Sequence, residues 1–171
     1  MNKLRIVDAY FRLAPGEAFD EAWLEERAVP AAPAGRAKIV RFERELAKLP
    51  QVEFELQHFF VDGLYVRQIF IPAGVALVGY IHMQPCITSV LQGCIVIAGG
   101  ERPVTLKAPY TCTCPAGSKK AGYALQDTVW QDAYLNPDNE RDIAKLEARL
   151  TADTHEEYVA RIADVKRLPC P

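Results

Sequence analysis

The sequence predicts a mainly β protein, one antiparallel barrel or sandwich with helices at its N-terminal and C-terminal ends. Two observations predict it. From Leu64 to Trp130, short runs rich in β-branched and aromatic residues alternate with Pro-Gly and Gly turns, and strands punctuated about every ten residues mark an all-β sandwich or barrel. Apolar residues three and four apart, the signature of a buried helix face, occur before and after that stretch. At 171 residues the chain can bury one good core and is short for two domains.

Three segments follow: an N-terminal arm and Pro/Ala-rich linker over 1–36, a barrel with a leading helix over 37–136, and a C-terminal helical segment over 137–171. In the first, Ile6, Tyr10, Phe11 and Leu13 suit a strand or arm, and Asp20 to Glu26 a short helix capped near Asp20. The prolines and glycine between Val29 and Gly35 read as a linker, because proline removes a donor and glycine frees the backbone. Such an arm can dock on a neighbouring subunit or on its own barrel.

Ile39, Phe42, Leu46 and Leu49 define one helix face from Lys38 to Leu49, ended by Pro50. Val52, Phe54 and Leu56 alternate with Glu53 and Glu55, which predicts a strand over Val52–Phe60. The turn at Asp62 and Gly63 opens a strand over Leu64–Ile71, closed by Pro72 and Gly74. Further strands are expected over Ala76–His82, Thr88–Leu91, Cys94–Ala98, Val104–Leu106, Tyr110–Cys114 and Asp127–Tyr134. The strand Cys94–Ala98 is expected to pair with Thr88–Leu91 across the turn at Gln92 and Gly93. Beyond Pro137, Asp138 caps an expected helix to Leu150 with Ile143, Leu146 and Leu150 on one stripe, and Thr154 caps a shorter one carrying Tyr158, Val159 and Ile162.

The formal net charge is -2 with a pI of about 5.9, so no global positive field draws in nucleic acid. No apolar run approaches the roughly 20 residues that cross a bilayer, and no apolar leader follows Met1. A cytoplasmic location is expected. Of five cysteines at least one is unpaired within the chain. Cys112 and Cys114 alternate on one strand, pointing both thiols to one face, and are read as free thiols packing as small hydrophobes. Cys170, near the terminus, is expected to be exposed.

From about Leu49 to Tyr158 the chain resembles small cupin-like proteins of bacteria and tailed phages, of the RmlC-like jelly-roll type. The matching words are Leu49–Val52, His58–Arg67, Ile71–Gly74, Gly79–His82, Pro115–Tyr123 and Asp127–Trp130. The resemblance implies a cupin double-stranded β-helix, closed as two sheets, and cupin enzymes generally hold a divalent metal with histidines and a carboxylate. Here His82 is followed by Met83, Gln84, Pro85 and Cys86, and Leu125 stands where a second-motif histidine is expected. The ligand set is therefore reduced to His82 and Cys86, with Gln84 a weak third. His82 can equally be a hydrogen-bonded interior histidine. His58, before the Asp62–Gly63 turn, is read as structural, and His155 as a surface residue.

Nothing in the sequence supplies a nucleophile elbow, a P-loop or a dinucleotide fingerprint. Tyr65, Arg67, Tyr80, Gln84 and Tyr123 are candidate ligand-binding residues, with Arg67 either anchoring a small anion or pairing with Glu53 or Glu55 at the surface. The leading expectation is a non-enzymatic, phage-encoded, homo-oligomeric binding or structural protein, without cofactor, catalytic residues or membrane contact, and located in the host cytoplasm or the virion among other virion proteins. The alternatives are a metal-dependent isomerase or dioxygenase with one divalent transition metal, and a small-ligand sensor.

Overall fold

The computed structural model describes residues 10–12, 33–99 and 102–167, with side chains described over 36–99 and 102–164. In chain order the elements are β1 (Tyr10–Arg12), α1 (Pro33–Leu46), β2 (Leu56–Val61), β3 (Gly63–Ile71), β4 (Val75–Val78), β5 (Ile81–His82) and β6 (Cys86–Gln92). There follow β7 (Cys94–Ala98), β8 (Val104–Lys107), β9 (Tyr110–Cys114), β10 (Ala121–Ala124), β11 (Thr128–Asn136), α2 (Ile143–Leu150), β12 (Thr151–Ala152) and α3 (His155–Arg167).

One five-stranded sheet runs β1-β4-β10-β7-β8, the other β2-β3-β11-β6-β9, and β12 pairs with β5 separately. The fold is mainly β, and the strand orders 4-10-7-8 and 3-11-6-9 within these sheets are those of a jelly roll. Alternation along each strand sends one set of side chains between the sheets. Ile69, Ile71, Val75, Val90, Ile95, Leu106 and Ala124 form that inter-sheet core.

The outer face of the first sheet is covered by α1, whose Ile39 and Leu46 pack on Ala76, Val78, Ala98, Ala121 and Tyr123. This helix begins at Pro33, inside the expected linker. Proline is tolerated in a first helical turn, where its missing N–H has no intrahelical partner. The helix ends at Leu46, and a turn carries the chain to Leu49, which Pro50 holds out of the helical region. Lys119, its side chain 2% exposed, ties α1 to the barrel through Glu43 at 2.8 Å.

Several expected boundaries are corrected. Val52–Phe60 becomes a strand only from Leu56, although Val52 and Phe54 keep the inward half of the alternation. Ala76–His82 divides into β4 and β5. The strand Cys94–Ala98 does not pair with β6; it joins β10 and β8 in the opposite sheet. Gly93 makes the corner at φ +82°, and a Cβ there would lie 2.2 Å from the Asp127 carbonyl oxygen. Strand β10 has no counterpart in the expected set, being a four-residue Ala-Gly-Tyr-Ala run without apolar alternation.

At the C-terminal side the cap is Asp142, whose carboxylate accepts from the backbone N–H of Ala144 and Lys145. Asp138 instead receives Arg149 at 2.6 and 2.7 Å. Thr154 does cap α3, accepting from the Glu157 N–H. Leu146 and Leu150 of α2 close the barrel end against Tyr65, Cys86, Cys114 and Tyr134. Strand β1 lies antiparallel on β4 of its own barrel. Ile6, Leu13, the Asp20–Glu26 helix and Cys170 lie outside the described residues. Among those described, no helix is long and apolar enough to cross a membrane.

Candidate metal and ligand centre

Strand register builds the centre from residues distant in sequence. Cys86 on β6 faces Cys114 on β9, and Asp132 on β11 lies between Arg67 of β3 and Thr88 of β6. His82, at the end of β5, completes a cluster in which one ligand atom each from His82, Cys86 and Cys114 lies within 4.8 Å of the others. The Cys86 Sγ is 3.6 Å from His82 Nδ1, and Nδ1 is also 3.1 Å from the Tyr134 hydroxyl. Cys112 and Cys114 do share a face, but only Cys114 reaches this cluster; among the described residues both are free thiols.

Around the cluster runs a polar network. The Thr88 hydroxyl donates to Asp132 at 2.7 Å, and Arg67 donates to Asp132 at 3.5 Å and to the Tyr134 hydroxyl at 3.3 Å. Arg67 therefore does not pair with Glu53 or Glu55. It points inward because residues 65, 67, 69 and 71 form the buried parity of β3. Burial opposes its charge, yet Tyr134, Asp132, Tyr65 and Glu147 hold the guanidinium more firmly protonated than usual. Burial pushes the Tyr65 hydroxyl up to about 12, against the opposing Arg67 charge, and raises Tyr134 well above the usual phenol range.

The two facing thiols shift in opposite directions: Cys114 is lowered, chiefly by its neighbour Cys86, against burial and with help from His82 and Lys120, and Cys86 is raised, chiefly by Cys114, with burial adding to the rise. Lys120 is itself raised, because Cys114 and Asp132 outweigh its burial. On α2, Glu147 is raised to about 7 by burial, opposed by Arg67. Its Oε1 is buried without a hydrogen-bond partner.

A cavity of about 90 Å³ adjoins the cluster, with Arg67, Tyr80, His82, Lys120, Trp130 and Asp132 on its wall. Of the candidate ligand-binding residues, Arg67 and Tyr80 line it. Tyr65 lies beneath the network and hydrogen-bonds His58 Nδ1 at 2.8 Å. Gln84 donates to the Leu135 carbonyl. Tyr123 faces outward under α1, since inward and outward alternate along β10 and Gly122 takes the inward position. Leu125 is 44% exposed, and its N–H donates to the Cys94 carbonyl at the corner, so it occupies no ligand position. His155 stacks on Tyr158 and contacts Arg36.

The sequence offered at most His82, Cys86 and a weak Gln84; in the structure Cys114 joins His82 and Cys86, while Gln84 donates instead to the Leu135 carbonyl. Lys120, Asp132, Tyr134 and Glu147 were also missed. The C-x-C pattern was a usable signal for Cys114, but its partners sit on other strands.

No protein-family model matches the chain, and no curated protein matches it. Among solved structures it is similar to a cupin superfamily protein from Desulfitobacterium hafniense, with 14% identity over 53% of this chain and 84% of that one, at a TM-score of 0.43. It is also similar to KdgF from Halomonas sp., with 17% identity, 56% and 88% coverage and a TM-score of 0.44. An acetylacetone dioxygenase from Acinetobacter johnsonii gives 14%, 76%, 84% and 0.42 for the same quantities.

Proposed function

We propose that this chain is a cupin-like protein that holds one divalent transition metal on His82, Cys86 and Cys114 and a small anion in the adjoining cavity. The observation that carries this reading is the convergence of three ligand atoms within 4.8 Å, one of them from His82, which also lines the cavity. Two thiolates and an imidazole suit zinc, and three protein ligands leave a fourth position for water or ligand. The His82, Cys86 and Cys114 donor set fits such an ion, which when bound would supply Lewis acidity toward an oxygen of the ligand. Arg67 and Lys120 favour an anion, and a cavity of about 90 Å³ suits a small one, such as a short carboxylate.

The test is metal analysis of protein purified without chelator, followed by titration with zinc and cobalt. About one equivalent should bind, with cobalt giving a thiolate charge-transfer band. Cys114→Ser and His82→Ala should each lower the affinity at least about tenfold. A folded protein that takes up no metal under either condition would sink this reading.

A second reading, a non-enzymatic structural component of a virion, is favoured by the uncharged outer face of the second sheet, whose strands expose Phe59, Leu91 and Leu135. Detection of the chain in purified phage particles supports it, and absence from them removes it.

A further inference from the structure

We infer that Cys86 and Cys114 form a redox-active dithiol, which a small hydroperoxide closes to a cross-strand disulfide. The two residues are direct partners in the β6–β9 register, and their sulfurs lie within 4.8 Å of each other. Directly opposed residues of antiparallel strands hold their Cα atoms about 4.5–5.5 Å apart, inside the range of about 4.4–6.8 Å that a disulfide spans. Bonding then takes rotation about the Cα–Cβ bonds and a small approach of the strands.

The surroundings permit that approach. Cys86 opens β6 directly after Pro85, and Cys114 closes β9 directly before Pro115. The pair therefore sits at the end of its ladder, where the prolines have no N–H to extend it. Strand β9 is also the edge of its sheet and is held on one side by β6. The other described cysteines are placed differently, with Cys112 opposite Thr88 and Cys94 opposite Lys107.

Burial selects the oxidant. Cys114 is fully buried, Cys86 is 6% exposed, and Leu146 and Leu150 of α2 pack with both. A bulky disulfide such as oxidised glutathione is kept out by that packing. A hydroperoxide is small enough for the cavity of about 90 Å³, and His82 on its wall has Nδ1 3.6 Å from the Cys86 sulfur.

The reaction consumes two thiols and one hydroperoxide. One thiol gives up its proton and its sulfur attacks a peroxide oxygen; the O–O bond breaks, leaving a sulfenic acid and, from hydrogen peroxide, hydroxide that takes the proton as water. The facing thiol then displaces the sulfenic hydroxyl, forming the S–S bond, and its proton leaves with that hydroxyl as a second water. Two electrons pass from the sulfurs to the peroxide. Closing the bridge also removes two of the three ligands of the proposed metal centre, so a bound ion should shield the thiols and oxidation should release it. That consequence rests on the metal reading, whereas the bridge itself does not.

The experiment uses the full chain with Cys94→Ser, Cys112→Ser and Cys170→Ser, which leaves Cys86 and Cys114 as its two thiols. Metal-free protein is treated with hydrogen peroxide and followed by thiol titration, intact mass and non-reducing electrophoresis. Both thiols should disappear, the mass should fall by two hydrogens without cross-linking of chains, and dithiothreitol should restore both thiols. Loaded with zinc, the protein should lose its thiols at least about tenfold more slowly and release the zinc as they go. In the wild-type chain, fragmentation of the linked peptides should place the bridge between Cys86 and Cys114 rather than between Cys94 and Cys112, so the result does not depend on the triple variant folding. Thiols that persist in folded protein, oxygen added to either sulfur without loss of the two hydrogens, or a bridge placed elsewhere would overturn the inference. Zinc uptake with no bridge removes the dithiol and keeps the metal reading; a bridge in a chain that binds no zinc does the reverse.

Discussion

Arg67 on β3 and Asp132 on β11 are cross-strand partners in register, and their side chains meet at 3.5 Å between the two sheets with 16% and 7% of their surfaces exposed. A buried guanidinium and carboxylate stabilise each other mainly by removing the cost of leaving either alone. Asp132→Leu should therefore destabilise by about 3 kcal/mol, and Arg67→Met by a similar amount, whereas Arg67→Met with Asp132→Leu should cost less than the sum. Urea denaturation of the four proteins measures this. Additive losses would show that the two groups do not interact.

Glu147 gives the fold a pH dependence of definite sign. Its folded pKa of about 7 lies above its ordinary 4.5, so the folded state holds the proton more tightly than the unfolded chain. The associated stability is complete below the unfolded value and is lost as pH rises through about 7. Glu147→Gln, which stays neutral, should flatten that part of the profile. Subtracting its pH–stability curve from wild type isolates the effect, and a flat difference between pH 4.5 and 7 would show that Glu147 is not buried as described.

What the sequence made legible follows from how local each signal is. β3, β7 and β9 were readable because alternation and flanking turns lie within a few residues of each strand. The start of α1 was misplaced because Pro33 can break a helix or begin one, and only packing of the helix on the sheet decides between them. The partner of Arg67 was unreadable in principle: Asp132 is 65 residues away, whereas Glu53 and Glu55 were near enough to look plausible. Cys86 and Cys114 meet only through the β6–β9 register, and the pairing expected for β7 was wrong because Gly93 looked like a hairpin turn when it is a corner between sheets.

That corner should be intolerant of any side chain. At φ +82° a Cβ on Gly93 meets the Asp127 carbonyl oxygen at 2.2 Å and the Thr128 hydroxyl at 2.8 Å. The left-handed backbone alone costs an L-residue about 1–2 kcal/mol, and the backbone clash adds to it. Gly93→Ala should lose at least about 3 kcal/mol, whereas Gly74→Ala, at φ +80° with open space around it, should lose only the backbone part. Equal losses at the two positions in thermal or urea melts would remove the steric contribution assigned to the corner.

The link between Lys119 and Glu43 predicts a local effect. The ammonium is almost wholly buried, Glu43 is 17% exposed, and the pair joins the β9–β10 connection to α1 at 2.8 Å. Removing the carboxylate leaves a buried cation without that partner, so Glu43→Gln should cost about 3 kcal/mol. Salt should change the wild-type stability little, because a buried pair is poorly screened. Most of α1 makes its contacts through Ile39 and Leu46 on one face of the first sheet, and the inter-sheet core does not include it. The weakened variant should therefore release the helix before the barrel. Hydrogen exchange followed by mass spectrometry should show faster exchange over 33–46 with β3 and β11 unchanged. Uniformly faster exchange across both would instead make α1 part of one cooperative unit with the barrel.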